Sequence, residues 1–202
     1  MAEFWEDNYT EKQEMWGMKP AISAVLAKDY FIEKRISNIL LPGIGYGRNA
    51  KIFKDNGFEV TGIEISKTAI KLARKHFGHD MTIYQGSVKD MPFDSKKYEG
   101  VFCHALIHLL AKKEREKLIL DCYDQLIENG YMIFTAITKK APNFGKGKHI
   151  GKDRYEFHEG AKLFYFDEAS VEEEFGEAGL FEIVEIDEDQ TFYLIKCQKP
   201  KV

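Results

Sequence analysis

The chain has 202 residues, 44% hydrophobic and 31% charged, with a formal net charge of −4. That length and apolar content fit one domain with a sizeable core and exclude a disordered chain. The mild negative balance gives no electrostatic case for nucleic-acid binding across the whole surface, and no apolar run approaches the ~20 residues of a bilayer span.

The opening stretch "MAEFWEDNYTEKQEMWG" is mixed and acidic, unlike a secretory leader. Residues 1–35 read as an N-terminal lid or helical extension, with a helix beginning at Pro20, a good first helical position. From residue 36 the apolar period alternates between strand and helix. "ISNILLPGI" is a first buried strand; "GRNAKIFKDNG" is a short helix carrying Ala50, Ile52 and Phe53, with Gly57 as its C-cap. "FEVTGIEI" is a second strand. Ser66 caps "KTAIKLARKHF", whose Ala69, Ile70, Ala73 and Phe77 share a face. "MTIYQGS" and "YEGVFCHALI" are strands three and four. A helix runs from Lys112 to Asn129, burying Ile119, Cys122, Tyr123, Leu126 and Ile127, and Gly130 stops it. "YMIFTAIT" is a fifth strand. Asp167 caps "EASVEEEFGEAG", with Val171, Phe175 and Ala178 inward, and "LFEIVEIDEDQTFYLIKCQK" forms a closing hairpin.

The β-α-β-α rhythm implies a parallel sheet covered on both faces, and the hairpin adds an antiparallel strand near one edge. Residues 36–202 form the core, interrupted by a basic loop over 139–163. That loop holds Lys139, Lys140, Lys146, Lys148, His149, Lys152 and Arg154. It follows the fifth strand, so it overhangs the carboxyl ends of the strands where a ligand would sit, and an anionic small molecule would account for its charge; a solvated, mobile loop is the plainer reading. Cys103, Cys122 and Cys197 are odd in number and lack metal-type spacing, which fits reduced thiols in a cytoplasmic protein.

Gly43, Gly45 and Gly47 stand at alternate positions between the first strand and its helix. Glycines there let a ligand approach the main chain without a Cβ in the way, at the carboxyl end of a strand where open α/β sheets bind ligands. Glu64 ends the second strand, 21 residues beyond Gly43, where a carboxylate suits a ribose diol. The pattern is G-x-G-x-G; the dinucleotide fingerprint would need glycine where Arg48 stands.

With these residues the chain resembles the class I S-adenosylmethionine-dependent methyltransferases over residues 36–199. Within them it looks most like the small branch containing tellurite-resistance and thiopurine-type enzymes, through Arg48-Asn49 after the glycines and the tryptophan segment "MWGMKP". The resemblance implies a Rossmann-like α/β three-layer sandwich, with a mostly parallel seven-stranded sheet and an antiparallel C-terminal strand. It implies S-adenosylmethionine as cofactor and S-adenosylhomocysteine as product. Pro42, Gly43, Gly45, Gly47 and Asn49 would wrap the methionine part, and Glu64 would hold the ribose. Ile65, Ser87 and Val88 would frame the adenine, with Ser87 in place of the usual acid. His104 would meet the cofactor through its backbone. Tyr9 and Trp16 would lid the site or merely dock the extension on the core. Leu41 stands where the family usually has an acid two residues before the first glycine.

Methyl transfer from a sulfonium asks the protein mainly to position and desolvate, and needs a base only if the acceptor must lose a proton. His108 is the candidate to orient an acceptor or take its proton; the alternative is a locally bonded helix-start histidine. No metal site is expected. The expected partner is a small molecule, with membrane excluded and nucleic acid disfavoured. The rival functions are a non-enzymatic S-adenosylmethionine sensor, a nicotinamide-dependent oxidoreductase, and a methyltransferase acting on RNA or protein.

Overall fold

A computed structural model describes residues 2–157 and 160–201. In chain order its main elements are α1 (Ala2–Lys12), α2 (Ile22–Glu33), β1 (Asn38–Pro42), α3 (Ala50–Asp55), β2 (Glu59–Glu64), α4 (Lys67–Phe77), β3 (Thr82–Gln85) and β4 (Tyr98–Cys103). They continue with α5 (Lys112–Gln125), β5 (Leu126–Ile137), β6 (Lys148–Gly151), β7 (Arg154–Glu156), β8 (Lys162–Phe164), α6 (Glu168–Phe175), β9 (Leu180–Asp187) and β10 (Thr191–Gln198).

Seven strands form one sheet in the order β3-β2-β1-β4-β5-β10-β9. β1 pairs in parallel with both β2 and β4, and β10 runs antiparallel to both β5 and β9. Alternating side chains feed two layers of core. Leu40, Phe134 and Ile195 point to the side covered by α5 and α6, where Leu118, Cys122 and Phe175 meet them. Ile39, Leu41, Ile133 and Leu194 point to the other side, against Ala24, Ala27 and Phe31 of α2 and Phe53 of α3. The sandwich is thus the α/β architecture expected, and strand order reverses between β1 and β4, where such sheets open a ligand crevice.

Local signals explain most boundaries. Ser66 Oγ accepts from the Ala69 amide at 3.0 Å, and Asp167 accepts from Ser170 at 2.9 Å, so both predicted caps start their helices. Three expectations need correction. First, α5 stops at Gln125 rather than Asn129. Leu126 pairs with Tyr98 of β4 and enters the core, while Ile127 is exposed. Two adjacent apolar residues fit a helical stripe and a strand start equally well, and strand pairing decides. Second, α2 begins at Ile22, after Pro20 and Ala21. Third, the basic segment 139–163 is no plain loop: β6, β7 and β8 form a three-stranded antiparallel sheet.

The first helix is tied to α4. The Glu6 carboxylate accepts from the Ser66 hydroxyl at 2.7 Å and the Thr68 hydroxyl at 2.6 Å. Glu14 meets His76 at 2.7 Å. The Thr68 and Ser66 hydroxyls hold the Glu6 carboxyl at about 2, well below its ordinary range. A lowered acid contributes above its unfolded-state value and is lost as pH falls through the folded one. Glu6→Ala is therefore expected to speed amide exchange over residues 2–12 at neutral pH. In the wild type the same loosening sets in as pH falls from about 4.5 toward 2. Hydrogen-exchange mass spectrometry checks both, and unchanged exchange in the variant removes the latch.

Candidate functional site

The turn leaving β1 carries Gly43, Gly45 and Gly47, all with positive φ (71°, 60° and 88°). Side chains strain in that region, and crowding adds to it. A Cβ on Gly45 would stand 2.9 Å from the Tyr9 hydroxyl; one on Gly43 would stand 3.0 Å from Leu106. At Gly47 a Cβ would overlap the Phe77 ring of α4.

Glu64 is almost fully buried behind this turn. One carboxylate oxygen accepts from the Gly45 amide and the other from the Ser66 amide, each at 2.8 Å. Burial pushes its carboxyl above the ordinary range, and the Ser66 and Gly45 amides pull it partly back. Each oxygen keeps a lone pair for a further donor.

Beyond β4 the chain kinks. Ala105 has φ 50°, and its amide donates to Thr135 Oγ1 at 2.8 Å. This places His104 and Leu106 over the reversal point. His104 Nδ1 lies 3.0 Å from Ser23 Oγ and 3.2 Å from Thr135 Oγ1. Burial, then nearby Arg48, lowers its imidazole to about 4. His108 is buried too: its Nδ1 accepts from the Ile137 amide at 3.4 Å, and burial, then His104, lowers it to about 3.

One cavity of about 460 Å³ joins these groups, a size suited to a small organic ligand. Its first half is walled by Gly43, Gly45, Asn49, Glu64 and Ile65, with Ser87 and Val88 beyond. Tyr9 and Trp16 roof it, and Trp16 stacks on Tyr46 with planes 10° apart. Tyr9 is 6% exposed; burial, then Glu64, raises its phenol. The lining also includes Arg48, Lys89 and Asp189, with His104, His108, Leu109, Phe192, Asn143 and Gln190.

Most sequence-derived candidates therefore meet in one cavity, and two do not line it. Pro42 stays in β1, paired with Ile63, and Gly47 packs on Phe77. The Ser87 hydroxyl caps a short turn, accepting from the Lys89 amide at 3.2 Å. Asn49 Oδ1 accepts from the Ala21 amide at 3.0 Å, so that side chain joins α2 to the turn.

Among the described residues of the basic segment, no lysine or arginine lines the cavity, whose cationic side chains are Arg48 and Lys89. Lys139 pairs with Asp153 and Asp167, and Lys140 with Glu185. Arg154 donates to the Leu110 carbonyl at 2.6 Å, and Lys146, Lys148, His149 and Lys152 are exposed away from the cavity. Among the described residues of this segment, only Asn143 and Leu163 reach the lining. Sequence reasoning missed Trp5, Tyr46, Leu106, Asn143, Gln190 and Phe192. Only the tryptophan-rich start gave a signal for any of them.

Residues 40–134 match a family model described as methyltransferase domain. No curated protein matches the chain. Among solved structures, the Burkholderia thailandensis 1,6-didemethyltoxoflavin-N1-methyltransferase superposes with a TM-score of 0.77 at 13% identity, over 99% of this chain and 87% of that one. The CcbJ methyltransferase from Streptomyces caelestis gives 0.75 at 17% identity, over 98% of each chain. Magnesium protoporphyrin IX methyltransferase from Synechocystis PCC 6803 gives 0.71 at 11%, over 98% and 96%. At these identities the likeness is one of fold, and it extends well beyond the matched segment. Residues 40–134 thus match a methyltransferase domain model, and the chain as a whole shares the fold of solved methyltransferases.

Proposed function

We propose that the protein transfers a methyl group from S-adenosylmethionine to a small-molecule acceptor, within the cytoplasm. The observation that carries this reading is the single cavity uniting the glycine turn, Glu64 and the His104–Leu110 segment at the point of strand reversal. The residues fit an adenosyl sulfonium. The main chain at Gly43 and Gly45 is bare of Cβ atoms, and Glu64 is a buried carboxylate with lone pairs left for a diol. Ile65 and Val88 offer apolar surface beside it. The solved neighbours include one with bound S-adenosylhomocysteine and one with bound S-adenosylmethionine.

The sulfonium supplies an activated methyl group, so the protein's own residues position, desolvate and exclude water. Tyr9, Trp5 and Trp16 roof the first half with aromatic rings, whose faces favour a cationic sulfur. His108 orients the acceptor. With Nδ1 accepting from Ile137, the neutral ring carries its proton on Nε2 and donates from there. A ring lowered to about 3 is a poor base at neutral pH. We place the chain in the tellurite-resistance and thiopurine-type branch on Arg48-Asn49 and the Trp16 segment. Residues 1–35 act as lid and residues 36–202 as core.

Calorimetry tests this. S-adenosylhomocysteine is expected to bind and NADH is not, and turnover of S-adenosylmethionine in a screen of thiol, quinol and phenol acceptors is expected to release the bound product. Absence of S-adenosylhomocysteine binding overturns the cofactor. Binding without turnover of any acceptor returns the protein to the sensor class.

A further inference from the structure

Four formally charged side chains line the cavity: Arg48, Glu64, Lys89 and Asp189. His104 and His108 are lowered far enough to be uncharged at neutral pH. Two of the four charges are answered inside the protein. The Glu64 carboxylate accepts from the Gly45 and Ser66 amides, and Lys89 pairs with Glu114. The other two are not. Arg48 uses Nε to donate to the Lys19 carbonyl at 2.6 Å, and neither Nη has a hydrogen bond or ion pair among the described residues. Asp189, in the β9–β10 turn, has no hydrogen bond or ion pair among them either.

These two opposite charges flank one side chain. Arg48 lowers the His104 imidazole and Asp189 raises it, so both lie within electrostatic reach of that ring. No ion pair joins them to each other. They come from segments far apart in sequence, and the cavity is what brings them together. Arg48 directly follows the glycine turn and is half-buried. Its Nε bond to Lys19 restrains the guanidinium, and the unused Nη groups form a fork of the geometry that a carboxylate accepts.

We infer that Arg48 and Asp189 bind the two ends of an amino-acid group, its carboxylate at Arg48 and its ammonium at Asp189. The inference rests on the S-adenosylmethionine reading and adds to it the residues that recognise the zwitterionic end of that cofactor. Arg48 carries most of the effect, because Asp189 is exposed and water screens its charge. A nucleoside thioether without the amino-acid end meets neither residue.

The test is calorimetry on the full chain with four probes. They are S-adenosylhomocysteine, its decarboxylated analogue, its deaminated analogue, and 5′-methylthioadenosine, which lacks both groups. Wild type is expected to bind S-adenosylhomocysteine about 10- to 100-fold tighter than the decarboxylated analogue, the scale of hydrogen bonds between charged groups. The advantage over the deaminated analogue is expected to be about threefold, the scale of an exposed ion pair. Arg48→Met is expected to erase the carboxylate preference and Asp189→Asn the ammonium preference, each without the other. Binding of 5′-methylthioadenosine by a variant shows that its glycine turn is intact. If Arg48→Met loses that probe as well, Arg48→Lys decides: it keeps the charge without the fork, and a reduced carboxylate preference is expected. An undiminished preference in Arg48→Lys then overturns the inference. So does equal wild-type affinity for S-adenosylhomocysteine and its decarboxylated analogue, or a carboxylate preference that survives in a folded Arg48→Met. An ammonium preference that survives in Asp189→Asn removes Asp189 from the pair. If wild type binds none of the four, the cofactor reading falls and takes the inference with it, whereas binding without charge preference overturns the inference alone.

Discussion

Glu64→Ala is expected to weaken S-adenosylhomocysteine binding by about 100-fold or more. On the proposed reading a ribose diol donates to both oxygens of this carboxylate, and two hydrogen bonds to a charged acceptor contribute roughly 1.5–3 kcal/mol each. The same oxygens hold the Gly45 and Ser66 amides at 2.8 Å, so truncation also releases the glycine turn. Glu64→Gln is no rescue. An amide offers one acceptor and one donor, and its donor would face an N–H of either Gly45 or Ser66. The pH dependence has a fixed sign. Burial raises this carboxyl, so it ionises above the ordinary carboxylate range. Affinity is expected to rise with pH through that raised value in the wild type and to lose this component in Glu64→Ala. For stability the sign is opposite: a raised acid favours the unfolded state once ionised, so charging Glu64 costs stability as pH rises. Calorimetry from acidic to neutral pH reads the first effect and denaturant unfolding the second. Unchanged affinity in Glu64→Ala would remove the carboxylate from the site.

What the sequence disclosed and what it withheld divide along physical lines. The parallel sheet was legible because each strand is a short apolar run and each helix carries its own cap, such as Ser66 or Asp167. The glycine turn and Glu64 were legible because one backbone conformation and one charge at fixed spacing point to a ligand chemistry. The wall of the cavity beyond His104 was not. Asn143 and Gln190 are ordinary turn residues in sequence, and only the return of β10 beside β5 brings them to the cavity. The ion pairs of the basic segment were hidden for a related reason. Counting its lysines could not reveal Asp153, Asp167 and Glu185 as their partners, because the pairing is made by β7, α6 and β9 in space.

Arg115→Met is expected to cost about 3–5 kcal/mol of stability, the range for breaking a buried ion pair from one side. Arg115 and Glu174 have side chains only 3% exposed each. Nε donates to one Glu174 oxygen at 2.8 Å and Nη2 to the other at 2.5 Å. The guanidinium also lies 3.9 Å from the Phe164 ring centroid of β8 and donates to the Leu110 carbonyl at 3.1 Å. It thus joins α5, α6 and the small sheet to the Leu109–Leu110 strip that lines the cavity. Methionine fills similar volume but leaves Glu174 charged and buried. A second change, Arg115→Met with Glu174→Leu, removes that penalty and is expected to return stability to within about 1 kcal/mol of wild type or above it, as apolar replacement of buried pairs often does. Leu110 keeps its contact to Arg154 at 2.6 Å in either case, so the cavity wall is held from the other side. S-adenosylhomocysteine affinity should then be near wild type in the double variant. Denaturant unfolding of the four proteins gives the coupling between the two residues directly. A single variant as stable as wild type would mean that Glu174 finds water or a proton at little cost, and that α6 does not depend on the pair.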